Sequence, residues 1–302
     1  MAALILGLPS CRSAPISGRK QLLLVPETQE VELGLKAYRE TLAAETLSTD
    51  PKYVDLVRRV GNQIAQAAQR PDYQWEFNLI ASPQQNAFCL PGGKVAVHEG
   101  ILPICQNEAG LAVVMSHEIA HALARHGGER MSQGFVVNGA GIALGYLTKG
   151  QEAAQREQMM RVFGVTSKYG FVLPYSRKHE SEADRIGIIL MARAGYDPSE
   201  APRFWQRFSG ASGGTTLPEF LSTHPADARR AQELLAQLPA ALAEYERAPT
   251  RLGLGVSFAG ATLAETAPHV QSPIGGPMGA TATATEVAAD PYAVPPQRSL
   301  LR

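Results

Sequence analysis

The 302-residue chain carries 28 Lys and Arg against 28 Asp and Glu, with 45% hydrophobic and 19% charged residues. This is the composition of a globular protein with a sizeable core. Because the net charge is zero, no basic surplus attracts a phosphate backbone, which argues against a nucleic-acid binder. No stretch reaches the roughly 18 uninterrupted apolar residues that a membrane-spanning helix needs.

The N-terminus has the pattern of a targeting segment. Residues 2–8 are apolar, and Cys11 follows a proline and a serine. An apolar run before a small residue and a cysteine is typical of a bacterial lipoprotein signal. The pattern predicts residues 1–17 as a signal segment with a lipid on Cys11, and the alternative is a frayed terminus with an incidental cysteine. Cys89 and Cys105 would then occupy an oxidising compartment, where their pairing stays open.

Hydrophobic periodicity and end signals predict strands followed mostly by helices. The predicted extended segments are 18–25, 75–80 and Lys94–His98. The predicted helices are 26–47, 51–69, 107–126, 132–147, 152–162, 176–193, 199–208 and 225–246. From residue 248 the composition shifts to Gly, Ala, Thr and Pro, which predicts a disordered tail over 248–302 and a folded domain over 18–247.

The helix predicted over 107–126 contains His117-Glu118-Ile119-Ala120-His121. Two histidines four residues apart project from one helical face, so both imidazoles can bind one metal ion while the glutamate reaches a metal-bound water. The surrounding helix is apolar nearly all round. Burying two imidazoles and a carboxylate there is unfavourable unless something binds them, and a zinc ion is the simplest explanation.

A catalytic zinc ion takes a third protein ligand and leaves a fourth position for water. Glu180 and Asp184 lie four residues apart on the helix predicted over 176–193. This spacing predicts Glu180 as the third ligand and Asp184 as a hydrogen-bond acceptor for a ligating histidine, most simply His117. Glu182 points elsewhere and is predicted to be a solvated or structural acid. Without the histidine pair, a solvated acidic face would be the better interpretation.

Four motifs occur along the chain: NAFCLPGG over 86–93, SHEIAH over 116–121 with Arg125 and His126 following, ESEADRIG over 180–187, and STHP over 222–225 with Arg230. Together they resemble the HtpX/OMA-type zinc metallopeptidases (peptidase family M48), in the layout of the periplasmic LoiP- and BepA-like members. The resemblance covers residues 18–246. It implies an α+β, mostly helical fold, a zincin-like (gluzincin) domain with a small β-sheet beside the HExxH helix.

The resemblance also implies roles for the motif residues. His117, His121 and Glu180 resemble the zinc ligands of the family, and Glu118 resembles its catalytic acid and base. In such enzymes zinc activates a water and polarises the scissile carbonyl, while the glutamate takes the proton of the water and passes it to the leaving amine.

His224 and Arg230 are the candidates for a second donor to the developing oxyanion. His224 has two other interpretations. One is a fourth zinc ligand that displaces the water and holds the enzyme latent, since neutral imidazole is a good zinc donor. The other is a surface histidine near a helix start.

Substrate binding is predicted along the strand Lys94–His98. If this strand forms an exposed sheet edge beside the metal, an extended peptide can pair with its main chain, with little sequence preference. Unfolded polypeptides suit such a site. The predicted substrate-binding residues are Pro91, Gly92, Gly93, Lys94, Val95 and Ala96.

The leading hypothesis is a zinc-dependent endopeptidase that hydrolyses unfolded or misassembled cell-envelope proteins in protein quality control. The predicted location is the bacterial periplasm, with a lipid anchor at Cys11 in the outer membrane, a destination that Arg12 favours by resemblance to lipoprotein sorting. One alternative is a chaperone or assembly factor for outer-membrane proteins with latent protease activity. Another is a metal hydrolase with a non-peptide substrate. Glu118 argues against a pure binding protein, because binding alone needs no general base.

Overall fold

Helices dominate the computed structural model, which describes residues 11–138, 176–210, 220, 224 and 228–258. The strands are β1 (Cys11–Ser13), β2 (Lys20–Leu22), β3 (Glu76–Ile80), β4 (Ala87–Leu90) and β5 (Lys94–His98). The helices are α1 (Glu27–Ala44), α2 (Pro51–Ala68), α3 (Leu102–Cys105), α4 (Glu108–Leu123), α5 (His126–Asn138), α6 (Arg177–Arg193), α7 (Glu200–Gly210) and α8 (Ala228–Glu246). The prediction of an α+β, mostly helical fold is confirmed.

Side-chain caps fix the starts of the helices that matter most for the core. The Asp50 carboxylate accepts a hydrogen bond from the Lys52 N–H at 2.9 Å, and Pro51 occupies the first turn of α2. Asn107 accepts from the Gly110 N–H at 2.9 Å and starts α4. These caps satisfy N–H groups that have no partner within the helix. The predicted starts of both helices are therefore confirmed.

The sheet differs from the prediction in the strand at its centre. Its order is β3-β5-β4, with β5 parallel to β3 and antiparallel to β4. The predicted exposed edge at Lys94–His98 is therefore wrong, since β5 is buried and paired on both sides. The sequence analysis missed β4 because its four residues are fully buried and show no alternation. Pro91, Gly92 and Gly93 form the turn that returns β4 onto β5.

The boundary between α4 and α5 differs from the prediction. The helix predicted over 107–126 ends at Leu123, because Arg125 adopts a left-handed conformation with φ 52°. Helix α5 then begins at His126 and continues through Gly127 and Gly128, which fall between the helices predicted over 107–126 and 132–147. A Cβ atom on Gly128 would collide with the Glu30 carboxylate, which Arg125 holds in place, so packing favours glycine there.

The folded part extends beyond both predicted domain limits. At the N-terminal side, β1 starts at Cys11 and pairs with β2, and Ala14 between them is 3% exposed, so the limit at residue 18 is too late. At the C-terminal side, the main chain of Val256 accepts from the Glu108 N–H, and Phe258 is buried. The limit at residue 247 is therefore too early.

Several predictions fall on other parts of the chain. The helix predicted over 152–162, the second half of that over 132–147, and the tail beyond residue 258 lie outside the described residues. Cys89 and Cys105 are free and buried, and they form no disulfide. Among the described residues, no helix is both long enough and apolar enough to cross a membrane.

Candidate metal centre

The candidate centre lies where α4 packs against α6. All of α4 is buried, including both its histidines. Gly187 on α6 lies so close to α4 that an added Cβ atom would stand 3.1 Å from the main-chain nitrogen of His117. This close approach brings the Glu180 end of α6 against the histidine face of α4. Ser176 starts α6 by accepting from the His179 N–H at 3.3 Å.

Four buried side chains converge on one point in this contact: His117, His121, Glu180 and His224. The Nε2 atoms of His117 and His121 are 3.1 Å apart. Glu180 Oε2 lies 3.4 Å from His117 Nε2, and Glu180 Oε1 lies 3.5 Å from His121 Nε2. His224 Nδ1 is 3.2 Å from His117 Nε2 and 3.1 Å from Glu180 Oε1. We call these residues the metal cluster.

The spacing of the metal cluster fits a tetrahedral metal ion. Ligand atoms bonded to zinc at about 2.0–2.1 Å in a tetrahedron lie about 3.3 Å from one another. The five separations given above run from 3.1 to 3.5 Å, and all four ligand atoms lie within 4.8 Å of one another. Three imidazoles and a carboxylate are also the donor types that zinc takes. The cluster is therefore able to hold a metal ion.

Glu118 lies beside the cluster without belonging to it. Its Oε1 atom is 3.2 Å from Nε2 of His224, the ring nitrogen on the side away from the cluster. Burial raises the pKa of Glu118 to about 7, against the opposing effect of His224. A carboxyl group with this pKa can both accept and release a proton near neutral pH.

Asp184 and Arg230 support the cluster from behind. Asp184 Oδ1 lies 3.0 Å from His117 Nδ1, and Arg230 donates to both oxygens of Asp184 at 2.7 and 2.8 Å. Arg230 also lies 3.0 Å from Glu180 Oε2, and its guanidinium covers the ring of Trp205 at 3.7 Å. These contacts fix the His117 ring and the Glu180 carboxylate at once.

The charges of the centre are tuned by these neighbours. Burial by itself would raise the pKa of Glu180, but His224 and Arg230 hold that pKa well below its ordinary value. Burial lowers the pKa of His121 well below its ordinary value, which keeps the ring neutral. For His117 burial acts in the same direction, but Asp184 and Glu180 outweigh it and raise the pKa. Glu180 is thus a carboxylate among imidazoles, as a metal site requires.

A second polar group, which was not predicted, adjoins the cluster. It consists of Arg19, His126, Glu129, His179 and Glu182, and we call it the hairpin network because Arg19 comes from the β1–β2 hairpin. Glu182, predicted as a possible solvated acid, is 6% exposed and pairs with Arg19 and His126. The His126 and His179 rings stack at 4.4 Å. Only the spacing of His126 five residues after His121 could have suggested a contact.

The substrate residues predicted on β5 lie away from the open side of the sheet. Lys94, Val95 and Ala96 are buried between β3 and β4. Among the described strands, β4 has a neighbour on one side only, and it also packs against α4. At its start, Gln85 O accepts from the Phe220 N–H at 3.1 Å.

The fold and this centre define a metallopeptidase, and the chain belongs to peptidase family M48, whose sequence model matches residues 52–238. It is 37% identical to the mitochondrial metalloendopeptidase OMA1 of Schizosaccharomyces pombe over 237 residues, 77% of this chain and 68% of that protein. The human OMA1 metalloendopeptidase is 31% identical over 243 residues, 76% of this chain and 46% of that protein. The beta-barrel assembly-enhancing protease of Yersinia pestis is 29% identical over 235 residues, 74% of this chain and 48% of that protein.

These relatives confirm two predictions and overturn a third. The resemblance to HtpX/OMA-type peptidases and the assignment as a metalloendopeptidase, a hydrolase of peptide bonds, are confirmed. The predicted bacterial periplasmic location is wrong, because the relatives with 31–37% identity are mitochondrial proteins of eukaryotes. The sequence analysis took the location from the pattern around Cys11, and nothing in the described structure or the relatives supports a lipid anchor there.

Proposed function

We propose that this metalloendopeptidase uses one zinc ion, held by His117, His121 and Glu180, to hydrolyse unfolded polypeptides with Glu118 as general base and acid. The observation that carries the proposal is the 3.1–3.5 Å spacing of the cluster atoms, which suits a tetrahedral ion. Bound zinc supplies Lewis-acid chemistry, activating a water molecule and polarising the scissile carbonyl. Proton transfer, positioning and substrate binding are assigned to residues of the chain.

Glu118 moves the proton in this proposal. Its pKa of about 7 supports it in taking a proton from the attacking water and giving it to the leaving amine. Because the carboxylate stands outside the metal cluster, it stays available for proton transfer. The His224 ring lies between the carboxylates of Glu180 and Glu118, so it fills the space beside Glu118 that an attacking water would need.

His224 is proposed as a fourth ligand that keeps the enzyme latent. Its Nδ1 atom meets Glu180 and His117 at 3.1 and 3.2 Å, as close as the other ligand atoms approach one another. A site with four protein ligands is closed, whereas a catalytic zinc site needs an open position. Phe220, whose ring centroid lies 4.6 Å from that of His224, helps to hold the closed position. Removal of His224 from the site then opens the position for water.

Arg230 is proposed as a positioning residue rather than the oxyanion donor. Its donors are directed at Asp184 and Glu180, at 2.7–3.0 Å, and its guanidinium is stacked on Trp205. Turning it toward a substrate would leave the buried Asp184 carboxylate without its partner, which is strongly unfavourable. The oxyanion role proposed for His224 remains the alternative to latency.

The substrate is proposed to lie along β4. This strand has one open side among the described strands, is 4 residues long and packs on α4, which carries Glu118. Main-chain pairing with a sheet edge reads little sequence, which supports unfolded polypeptides as substrates and a role in protein quality control. The relatives include a protein named for assembling β-barrels, but Glu118 and the metal cluster favour hydrolysis over a chaperone function.

The test is cleavage of a denatured protein by zinc-loaded wild type, Glu118→Gln and His224→Ala. We expect Glu118→Gln to bind zinc as wild type does and to lose cleavage by about 100-fold or more. Equal and measurable cleavage by wild type and Glu118→Gln would remove Glu118 from the mechanism, whereas no cleavage by either, with zinc bound, would favour latency or the chaperone function. We expect His224→Ala to cleave faster than wild type if His224 is a latency ligand, and unchanged or slower cleavage would reject that role.

A further inference from the structure

A chain of close polar contacts leads from His121 away from the metal cluster. The Nδ1 atoms of His121 and His126 are 2.8 Å apart, and Nε2 of His126 lies 2.9 Å from Oε2 of Glu182. The two imidazole rings meet edge to face, with 74° between their planes. His126 is 0% exposed, so no bulk water replaces these contacts. Three side chains from α4, α5 and α6 thus form one line.

We propose that His126 is a positioning residue that holds His121 in the tautomer with a free Nε2 lone pair for the metal. The inference rests on the proposed function, because it takes Nε2 of His121 as a ligand atom. It concerns the tautomer of the His121 ring and is separate from the question of catalysis.

The direction of each hydrogen bond follows from simple counting. A ring that binds metal through Nε2 carries its hydrogen on Nδ1, so His121 donates to His126. His126 then accepts at Nδ1 and carries its own hydrogen on Nε2. Glu182 Oε2 accepts that hydrogen at 2.9 Å. With the opposite arrangement, His126 would donate to His121 and force the hydrogen of His121 onto the atom that must bind the metal.

Glu182 is itself held in place by the β1–β2 hairpin. Arg19 Nε donates to Glu182 Oε2 at 2.5 Å, and the Ser17 hydroxyl donates to the other oxygen. Arg19 also forms a two-point contact with Glu129, at 2.8 and 2.5 Å. A carboxylate fixed by an arginine offers His126 an acceptor in one position only. The N-terminal hairpin therefore contributes to the metal cluster through two intermediate side chains.

Each of the two histidine ligands on α4 is oriented by an outer carboxylate. The carboxylate contacts His117 directly, whereas it contacts His121 through one further side chain. His117 Nδ1 faces Asp184 directly at 3.0 Å, and Arg230 fixes Asp184. His121 Nδ1 contacts His126, which contacts the Glu182 carboxylate, and Arg19 fixes that carboxylate. Outer partners of this kind typically change metal affinity by about 10–100-fold.

The experiment compares zinc affinity in two nearly isosteric variants, His126→Asn and His126→Leu. Asparagine keeps an acceptor oxygen close to the position of Nδ1, whereas leucine of similar size has none. Zinc affinity is measured by competition with a chromophoric chelator on the full chain. We expect His126→Leu to bind zinc about 10–100-fold more weakly than wild type, and His126→Asn to recover most of that loss. Equal affinities of the two variants would overturn the inference.

A second measurement separates positioning from packing. Nitrogen-15 NMR of metal-free protein reports the tautomer of His121, and we expect the Nδ1–H form in wild type and His126→Asn but a mixture in His126→Leu. If His126→Leu does not fold, Glu182→Gln tests the same chain, because it keeps the shape and removes the charge that orients His126. We expect a several-fold loss of zinc affinity there. Unchanged affinity in Glu182→Gln would count against the inference.

Different variants test the metal centre and the positioning role of His126. If His121→Ala binds zinc as tightly as wild type, His121 is not a ligand and the proposed function and this inference both fail. If His121→Ala loses zinc but His126→Leu matches His126→Asn, the metal centre stands and only the positioning role of His126 is rejected.

Discussion

The metal cluster and the hairpin network lie side by side in this protein, and their imidazoles and carboxylates are arranged differently. The metal cluster brings ring nitrogens and carboxylate oxygens to one point, with separations of 3.1–3.5 Å. The hairpin network has a comparable set of imidazoles and carboxylates, but Arg19 lies between Glu129 and Glu182 and donates to both. The network is held together by hydrogen bonds to a central arginine, whereas the cluster converges as ligands do around an ion.

The comparison teaches that composition alone does not mark a metal site. The His and Glu side chains of both groups are buried, and all of them except His224 lie on α4, α5 or α6. The difference lies in what occupies the centre, which is an arginine in one group and the meeting point of four ligand atoms in the other. We therefore expect that disrupting the cluster lowers activity, whereas disrupting the network lowers the stability of the fold.

The largest expected effect is on the cluster. His121→Ala removes one of its ligands, and we expect cleavage of a denatured protein to fall on the order of 1,000-fold, the loss of several kcal/mol of transition-state stabilisation. Zinc-free His121→Ala should unfold at a denaturant concentration close to that of zinc-free wild type. His98→Ala, which removes a buried histidine of β5 outside both groups, serves as the control and should retain zinc. A variant His121→Ala that still cleaves would exclude the cluster as the active centre.

The network should respond in stability. Arg19→Met removes the cation shared by Glu129 and Glu182, and we expect the free energy of unfolding to fall by about 3–5 kcal/mol because two carboxylates are left without it. Urea unfolding of the zinc-free protein measures this. Adding Glu129→Gln to Arg19→Met should cost less than the sum of the single changes. Strict additivity would show that Arg19 and Glu129 do not stabilise one another.

The two groups also differ in how far they could be predicted. The HExxH spacing on a buried helix predicted His117 and His121, because helical geometry alone brings residues four apart to one face. Glu180 and Asp184 followed from the same rule on a second helix. The hairpin network joins residues more than 100 positions apart, such as Arg19 and Glu129, and no periodicity encodes such pairs.

The strand order of the sheet was not predicted, for a related reason. Helix starts depend on local caps such as Asp50 and Asn107, and the predicted starts of α2 and α4 are confirmed. Strand order depends on which strands pair, and β4 offers only four buried residues before its turn. Because β4 was not predicted, β5 had no second neighbour in the predicted sheet and was expected to be an edge strand. The edge that matters for a substrate is set by that pairing.

Acid should weaken the hairpin network through Glu182. Burial opposes ionisation of Glu182, but hydrogen bonds from His126, Ser17 and Arg19 lower its pKa to about 2. A carboxyl group with a lowered pKa contributes its full stability above its unfolded pKa of about 4.5, and the contribution is lost as the pH falls toward 2. We expect about 1–2 kcal/mol to be lost between pH 5 and pH 3, after allowance for solvent screening. Urea unfolding at both pH values measures it, and Glu182→Gln should reduce the difference. If that variant keeps the full difference, the acid sensitivity arises elsewhere.

The smallest expected effect tests whether the start of α6 matters to the cluster. Ser176 caps α6 one turn before Glu180, and Asp50 caps α2 far along the chain from any cluster residue. Each cap replaced by alanine should cost about 1 kcal/mol of unfolding free energy, since each satisfies a free N–H group. Only Ser176→Ala should also weaken zinc binding, by a few-fold, because fraying of the first turn moves the Glu180 carboxylate away from His117. Isothermal titration of both variants with zinc compares them at matched stability loss. An equal change of affinity in Asp50→Ala would mean that the cluster responds to global stability, whereas a change confined to Ser176→Ala ties zinc affinity to the local order of the α6 start.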